Sequence, residues 1–187
     1  MFRWRGGLMA GVAVLVLALA RPTLPSYLLG LILGLLGESL RFWAIGHSRG
    51  HTRGLTVEAP FVATSGPYAH SRHPLYVGNS LNALAVAVAA AGGHGRLGAY
   101  LLLGLTLVSL IGVYGTIIPL EEACLAGNHC QTYETYRKQV NRFWPSLRPR
   151  GPAEGYFCLD AALYFERWSV TWWVLIWLWL GLRLVGG

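Results

Sequence analysis

Long runs of apolar residues dominate this chain of 187 residues, and polar positions are confined to short stretches between the runs. Apolar positions do not follow a two-residue or 3.6-residue stripe, which is typical of helices that lie wholly within a bilayer. We identify five runs, at about residues 7–20, 27–45, 75–91, 97–118 and 169–185. The pattern predicts an all-α, polytopic membrane protein with about five transmembrane helices.

The first run permits a second interpretation. The basic start at residues 1–5, the apolar stretch at 8–19 and the Ala18-Leu19-Ala20 sequence also resemble a secretory signal peptide. We interpret the run as a membrane helix that is retained. Runs one and five are shorter than the roughly 20 residues of a helix that spans the bilayer perpendicularly. Such helices would span it either by thinning the bilayer locally or by including flanking residues.

Composition agrees with a membrane protein and gives it an orientation. The chain is 54% hydrophobic and only 12% charged, unlike an ordinary soluble domain, and its length suits one domain, residues 1–187. With the N-terminus in the cytoplasm, the fifteen Lys and Arg residues lie on the cytoplasmic side except Arg21, Arg96 and Arg183. This bias explains the net charge of +7 without a nucleic-acid partner, since no basic stripe alternates with stacking aromatic residues.

The cysteines indicate neither a disulfide nor a metal. Cys124, Cys130 and Cys158 all fall in the predicted cytoplasmic part, which is a reducing compartment. No CxxC pair accompanies them, so we predict no metal site.

Two polar clusters border the apolar runs and are the candidate functional residues. Polar groups at the mouth of a membrane helix cost free energy unless they are partnered or bind a ligand. Both clusters fall on the predicted cytoplasmic side, so we expect one site at that membrane surface. The first cluster comprises Gly66, Pro67, Tyr68, His70, Arg72, His73, Pro74, Tyr76 and Gly78, and the second is Glu121-Glu122.

The chemistry of these side chains suits a polar ligand with both signs of charge. An Arg fork binds a carboxylate or phosphate, and His switches between donor and acceptor. Carboxylates accept hydrogen bonds from amines and ribose hydroxyls, and Tyr can cover an aromatic base. The residues alone predict a polar ligand at the cytoplasmic interface, and the alternative that each is an ordinary interfacial anchor stays open.

Four further features accompany the clusters. Glu38 and Arg41 share a helix face, so they either neutralise each other or leave Arg41 to reach an anionic group of a cofactor or substrate. The glycines at 30 and 34 predict a close helix contact. Residues 46–66 predict a polar loop, and residues 119–150 an amphipathic interfacial helix that ends at Pro145 and Pro149.

An ordered set of motifs resembles the isoprenylcysteine carboxyl methyltransferase and phospholipid methyltransferase superfamily. Residues 64–68 (Thr-Ser-Gly-Pro-Tyr) and 72–78 (Arg-His-Pro-Leu-Tyr-Val-Gly) open a hairpin, and Leu40-Arg41-Phe42-Trp43-Ala44 resembles the preceding helix. The Glu pair is followed in the family's order by Leu125, Tyr133, Tyr136, Val140, Arg142 and Pro145. The resemblance covers about residues 35–148. The sequence differs from the family pattern at His129-Cys130 and at Asn141, and these differences concern the substrate-binding part of the resemblance more than the cofactor-binding part. The fifth apolar run lies outside the region of resemblance.

The resemblance implies a membrane methyltransferase that uses S-adenosylmethionine. It implies that His70, His73, Pro74, Tyr76, Gly78 and the backbone of residues 66–68 line the cofactor pocket and that the Glu pair holds the polar ends of the cofactor. Arg41, Arg72, His73 and Arg142 would then orient the acceptor or the cofactor carboxylate. An ionised carboxylate or thiolate acceptor needs little acid–base help, whereas an amine needs a base such as His73 or His70.

The acceptor stays open within the class of lipids and hydrophobic small molecules, and no obligate protein partner is evident. Two alternatives to the enzyme also stay open. One is a non-catalytic membrane protein that binds a lipid or a partner in the same pocket. The other is a sterol-type reductase of related architecture, although no GxGxxG follows a predicted strand.

Overall fold

The computed structural model of the chain describes residues 5–49, 62–128, 130–150 and 155–186, and these residues form helices and connecting turns without a strand. Most of the predicted loop at 46–66, namely residues 50–61, and His129 lie outside the described residues. The helices are α1 (Arg5–Ala18), α2 (Leu24–Ser48), α3 (Pro74–Ala91), α4 (Arg96–Asn128), α5 (Cys130–Gln139) and α6 (Leu159–Gly186), with a 3₁₀ turn at Gly66–Ala69.

Four of these helices are long and apolar enough to cross a bilayer. They are α2, α3, α4 and α6, and α1 supplies a shorter apolar helix of 14 residues. The predicted all-α, polytopic membrane fold is therefore confirmed, and the first predicted run corresponds to the short helix α1.

The chain divides into two compact units, which we describe separately. The first unit comprises residues 1–38, 79–115 and 169–187. Its core consists mainly of small side chains around Trp177, such as Ala85 and Ala89. A Cβ on Gly30 would lie 2.6 Å from the Ala85 carbonyl oxygen, and one on Gly34 would lie 2.8 Å from the Trp177 ring. The predicted close contact at the two glycines is confirmed, because only glycine leaves room for these neighbours.

The second unit comprises residues 39–78 and 116–168, and it contains both polar clusters. Its buried hydrophobic cluster is small and consists of Tyr133, Tyr136 and Val140. At Gly66 the backbone has a φ of +59°, and a Cβ there would overlap the His47 ring. Glycine at this position therefore serves both the left-handed turn and the close approach of α2.

The segment at residues 119–150 differs from the single interfacial helix predicted for it. Helix α4 continues through Pro119 to Asn128, so the Glu pair lies on the same helix as the fourth apolar run. Helix α5 ends at Gln139, well before Pro145, and residues 141–150 are not helical. The reason is that backbone groups of residues 141–150 bond to residues 69–72 instead of to each other.

Candidate functional site

The loop before α3 is shaped by its prolines and by one serine. Pro67 occupies the first turn of the 3₁₀ helix, and Pro74 begins α3, where a missing N–H costs nothing. The Ser71 hydroxyl accepts a hydrogen bond from the His73 N–H (3.3 Å) and donates to the Phe143 carbonyl (3.0 Å). These contacts fix His73 at the entrance to α3.

Glu122 on α4 is the centre of the site, and its side chain is only 5% exposed. Oε1 accepts from the Arg72 guanidinium at 2.9 Å and from His73 Nε2 at 3.2 Å. Oε2 accepts from Arg142 through Nη2 at 2.6 Å and Nε at 3.1 Å. A carboxylate is an acceptor only, so Nε2 of His73 carries the proton in this contact. Both oxygens of Glu122 are therefore occupied by protein donors.

Glu121 has different surroundings, because neighbouring residues of a helix point about 100° apart. Its side chain is 24% exposed. Oε2 accepts from the Tyr76 hydroxyl at 2.9 Å and lies 3.8 Å from His73 Nδ1. The Glu pair thus has one buried carboxylate within the protein network and one carboxylate that reaches the surface of the site.

The Glu122 carboxylate also sets the electrostatics of Arg142. Their hydrogen bond and charge attraction raise the pKa of Arg142 above its ordinary value. Arg142 is about half exposed, whereas Arg72 is 8% exposed. The two guanidinium groups and the two carboxylates balance in charge, so the network needs no external ion for neutrality.

Tyrosines form the wall beside this network. The Tyr136 hydroxyl donates to the Tyr68 carbonyl at 2.7 Å. Burial raises the pKa of Tyr68, Tyr133 and Tyr136 above the ordinary value for tyrosine. The Tyr133 hydroxyl and Arg72 Nε are buried and have no hydrogen-bond partner among the described residues. Two buried donors are therefore available to an acceptor that the described residues do not supply.

The structure brings together most of the predicted site residues. Arg72, His73, Tyr76, Glu121, Glu122 and Arg142 share one network, and Gly66, Pro67, Tyr68 and His70 lie in the adjoining turn. His70 donates through Nδ1 to the Ser146 carbonyl at 2.7 Å. Pro74 and Gly78 are buried in α3.

Arg41 has a partner that the sequence interpretation missed. Its guanidinium contacts both carboxylate oxygens of Glu166 on α6, at 3.0 and 3.2 Å, and Glu166 is 1% exposed. The hydrogen bonds of the Glu122 network described above do not include Arg41. The signal that could have revealed Glu166 is an acidic residue at the border of the Trp-rich final run.

Comparison with known families finds a match to part of the chain. A family model described as a protein of unknown function (DUF1295) matches residues 49–140, slightly less than half of the chain. No curated protein and no solved structure matches the chain. The matched residues include the loop before α3 and the Glu pair, so the similarity to DUF1295 covers most of the candidate site.

Proposed function

We propose that the protein is an integral-membrane methyltransferase that uses S-adenosylmethionine and methylates a lipid or another hydrophobic acceptor at the cytoplasmic membrane surface. The observation that carries the proposal is the convergence of two distant motifs. Arg72 and His73 bond to Glu122, and Tyr76 bonds to Glu121. The order of these residues along the chain is that of the methyltransferase superfamily which the sequence resembles.

One partly exposed carboxylate and two buried donors of the site match the charges and the hydrogen-bonding groups of the cofactor. S-adenosylmethionine carries an ammonium, a carboxylate and ribose hydroxyls. Glu121 is partly exposed and suits the ammonium or the hydroxyls. The buried donors of Tyr133 and Arg72 suit an oxygen acceptor such as a carboxylate. Tyr76 and the backbone of residues 66–68 would complete the pocket.

The cofactor supplies a methyl group that is activated by its sulfonium charge. The chain's own residues bind and orient the reactants and exclude water, which is sufficient for displacement by an ionised carboxylate or thiolate. Glu122 holds Arg72 and Arg142 in fixed positions, where their remaining N–H groups can orient an anionic acceptor. For an amine acceptor, His73 is the candidate base, since its Nδ1 is available once Nε2 donates to Glu122.

A reductase of related architecture is the second candidate. The DUF1295 family is often associated with steroid 5-alpha-reductase-like membrane proteins, and that association favours this candidate over simple lipid binding. The two enzymes differ in the cofactor they bind, so a binding experiment distinguishes them.

The test is calorimetric titration of the full chain in detergent with S-adenosylhomocysteine and, separately, with NADPH. We expect S-adenosylhomocysteine, the product of the methyl donor, to bind and NADPH not to bind.

A variant tests the role of Glu121 in this binding. Glu121→Gln removes the negative charge of the Glu121 carboxylate and should weaken the binding of S-adenosylhomocysteine by about 10-fold to 100-fold. Glu134→Gln is the matched control, because Glu134 forms an exposed ion pair with Arg137 on α5. Binding of NADPH alone would replace the methyltransferase with the reductase, and undiminished binding by Glu121→Gln would overturn the role of Glu121.

A further inference from the structure

The non-helical segment at residues 141–150 is held in place by its backbone hydrogen bonds to the loop before α3. Three backbone hydrogen bonds attach it to residues 69–72. They join Arg72 to Asn141 (2.9 Å), Ser146 to His70 (2.9 Å) and Arg150 to Ala69 (2.8 Å). The Ser146 hydroxyl also donates to the Arg148 carbonyl at 2.7 Å. The positions of its side chains are therefore set by the fold.

This ordered segment nevertheless presents two large apolar side chains outward. Trp144 is 79% exposed and Leu147 is fully exposed. A loop that is pinned at three points cannot fold back to bury them, so their hydrophobic surface stays available to a partner. Exposed tryptophan side chains are typical of the headgroup level of a bilayer, because the apolar ring can contact lipid there while the indole N–H stays hydrated.

The surroundings of the two apolar side chains are cationic. Residues 135–150 contain five Lys or Arg residues and no Asp or Glu. Arg142 is bound to Glu122 and Arg137 pairs with Glu134, whereas Arg148 and Arg150 are exposed and closely follow Leu147 in the sequence. A surface of this composition complements negative charge, and it lies in the chain between the membrane-spanning helices α4 and α6.

We propose that residues 144–150 form a binding surface for anionic phospholipids of the protein's own membrane. Trp144 and Leu147 enter the boundary between headgroups and acyl chains. Arg148 and Arg150 bind the phosphates. This inference does not depend on the methyltransferase proposal, because it uses none of the residues of the Glu122 network.

The test uses a fluorophore on Leu147→Cys in the full chain, with its three native cysteines replaced by serine. The protein is reconstituted in equimolar phosphatidylcholine and phosphatidylglycerol, with bromine near the ester end of the acyl chains of one lipid or the other. Bromine quenches only on contact, so the two preparations compare the lipids next to residue 147. We expect stronger quenching by brominated phosphatidylglycerol.

Variants that remove positive charge show which residues cause the preference for phosphatidylglycerol. Arg148→Gln with Arg150→Gln should lower the preference for phosphatidylglycerol by about 25-fold at low salt, from the usual contribution of two surface arginines. Arg21→Gln with Arg96→Gln removes the same charge from exposed positions in the other compact unit and should change nothing. Equal quenching by both lipids in the parent would overturn the proposal. Absence of quenching by either lipid would also overturn it and would point to an aqueous partner.

Discussion

Glu121 and Glu122 are adjacent residues of the same type, and yet the structure gives them separate tasks. Glu122 is buried and accepts hydrogen bonds from three side chains, whereas Glu121 is partly exposed and bonds to Tyr76. The sequence predicted that the pair belongs to a site. It could not predict the division, because which carboxylate faces the cations depends on the rotation of α4 within the packed unit.

The burial of Glu122 among cations predicts that neutralising this carboxylate lowers the stability of the protein. Glu122→Gln should lower the free energy of unfolding by about 3 kcal/mol, because it leaves two guanidinium groups without their buried counter-charge. Denaturation by sodium dodecyl sulfate in mixed micelles measures the change, with Glu134→Gln as the control. A Glu122→Gln protein as stable as the parent would contradict the central role of this carboxylate.

The neighbouring tyrosines allow a second matched comparison. Tyr136→Phe removes the hydrogen bond to the Tyr68 carbonyl and should cost about 1 to 2 kcal/mol of stability. Tyr133→Phe removes a buried hydroxyl that has no partner among the described residues, so the stability of the ligand-free protein should stay the same or rise slightly. The same denaturation assay ranks the two, and the reverse order would contradict the assigned hydrogen bonds.

Burial of these phenols also predicts a loss of stability in alkali. Their pKa values are raised in the folded protein, so the unfolded chain loses its protons first. At pH values below the ordinary tyrosine pKa of about 10, the phenols do not make the free energy of unfolding depend on pH. At higher pH the free energy of unfolding falls as pH rises. Denaturation midpoints measured from about pH 9 to about pH 11 should fall less steeply in Tyr136→Phe than in the parent.

At the scale of elements, the sequence predicted the helices well where long apolar runs define them. It was less accurate after the fourth apolar run, where residues 119–150 were predicted to form a separate amphipathic helix at the interface. In the structure α4 passes through Pro119 and carries the Glu pair. Residues 141–150 leave the helical pattern because their backbone groups bond to residues 69–72, and a pairing with a distant segment has no local signal in the sequence.

The packing of α2 against α3 predicts an effect of a small change in volume. Gly30→Ala should destabilise the protein by about 1 to 3 kcal/mol, because its Cβ would press on the Ala85 carbonyl and on the Ala89 side chain. Gly115→Ala on α4 is the control, since a Cβ there meets nothing within 4 Å. It should leave stability unchanged or raise it by up to about 1 kcal/mol. Equal effects of the two changes would refute the close helix contact.

At the scale of the whole molecule, length and hydropathy were sufficient to predict an all-helical membrane protein. The motifs along the chain also predicted which residues meet around Glu122. Glu166 was missed as the partner of Arg41 because the two residues are 125 positions apart, and an acidic residue at the border of an apolar run does not by itself name its partner. The predicted single domain and the predicted cytoplasmic position of the site stay predictions.

The most direct test of the central proposal is transfer of a tritiated methyl group from S-adenosylmethionine to the lipid-extractable fraction of membranes that contain the protein. We expect label in the organic phase with the parent and with Glu134→Gln. With Glu121→Gln we expect label to be reduced at least about 10-fold at a limiting cofactor concentration. Equal label in all three membranes and in membranes without the protein would contradict the account.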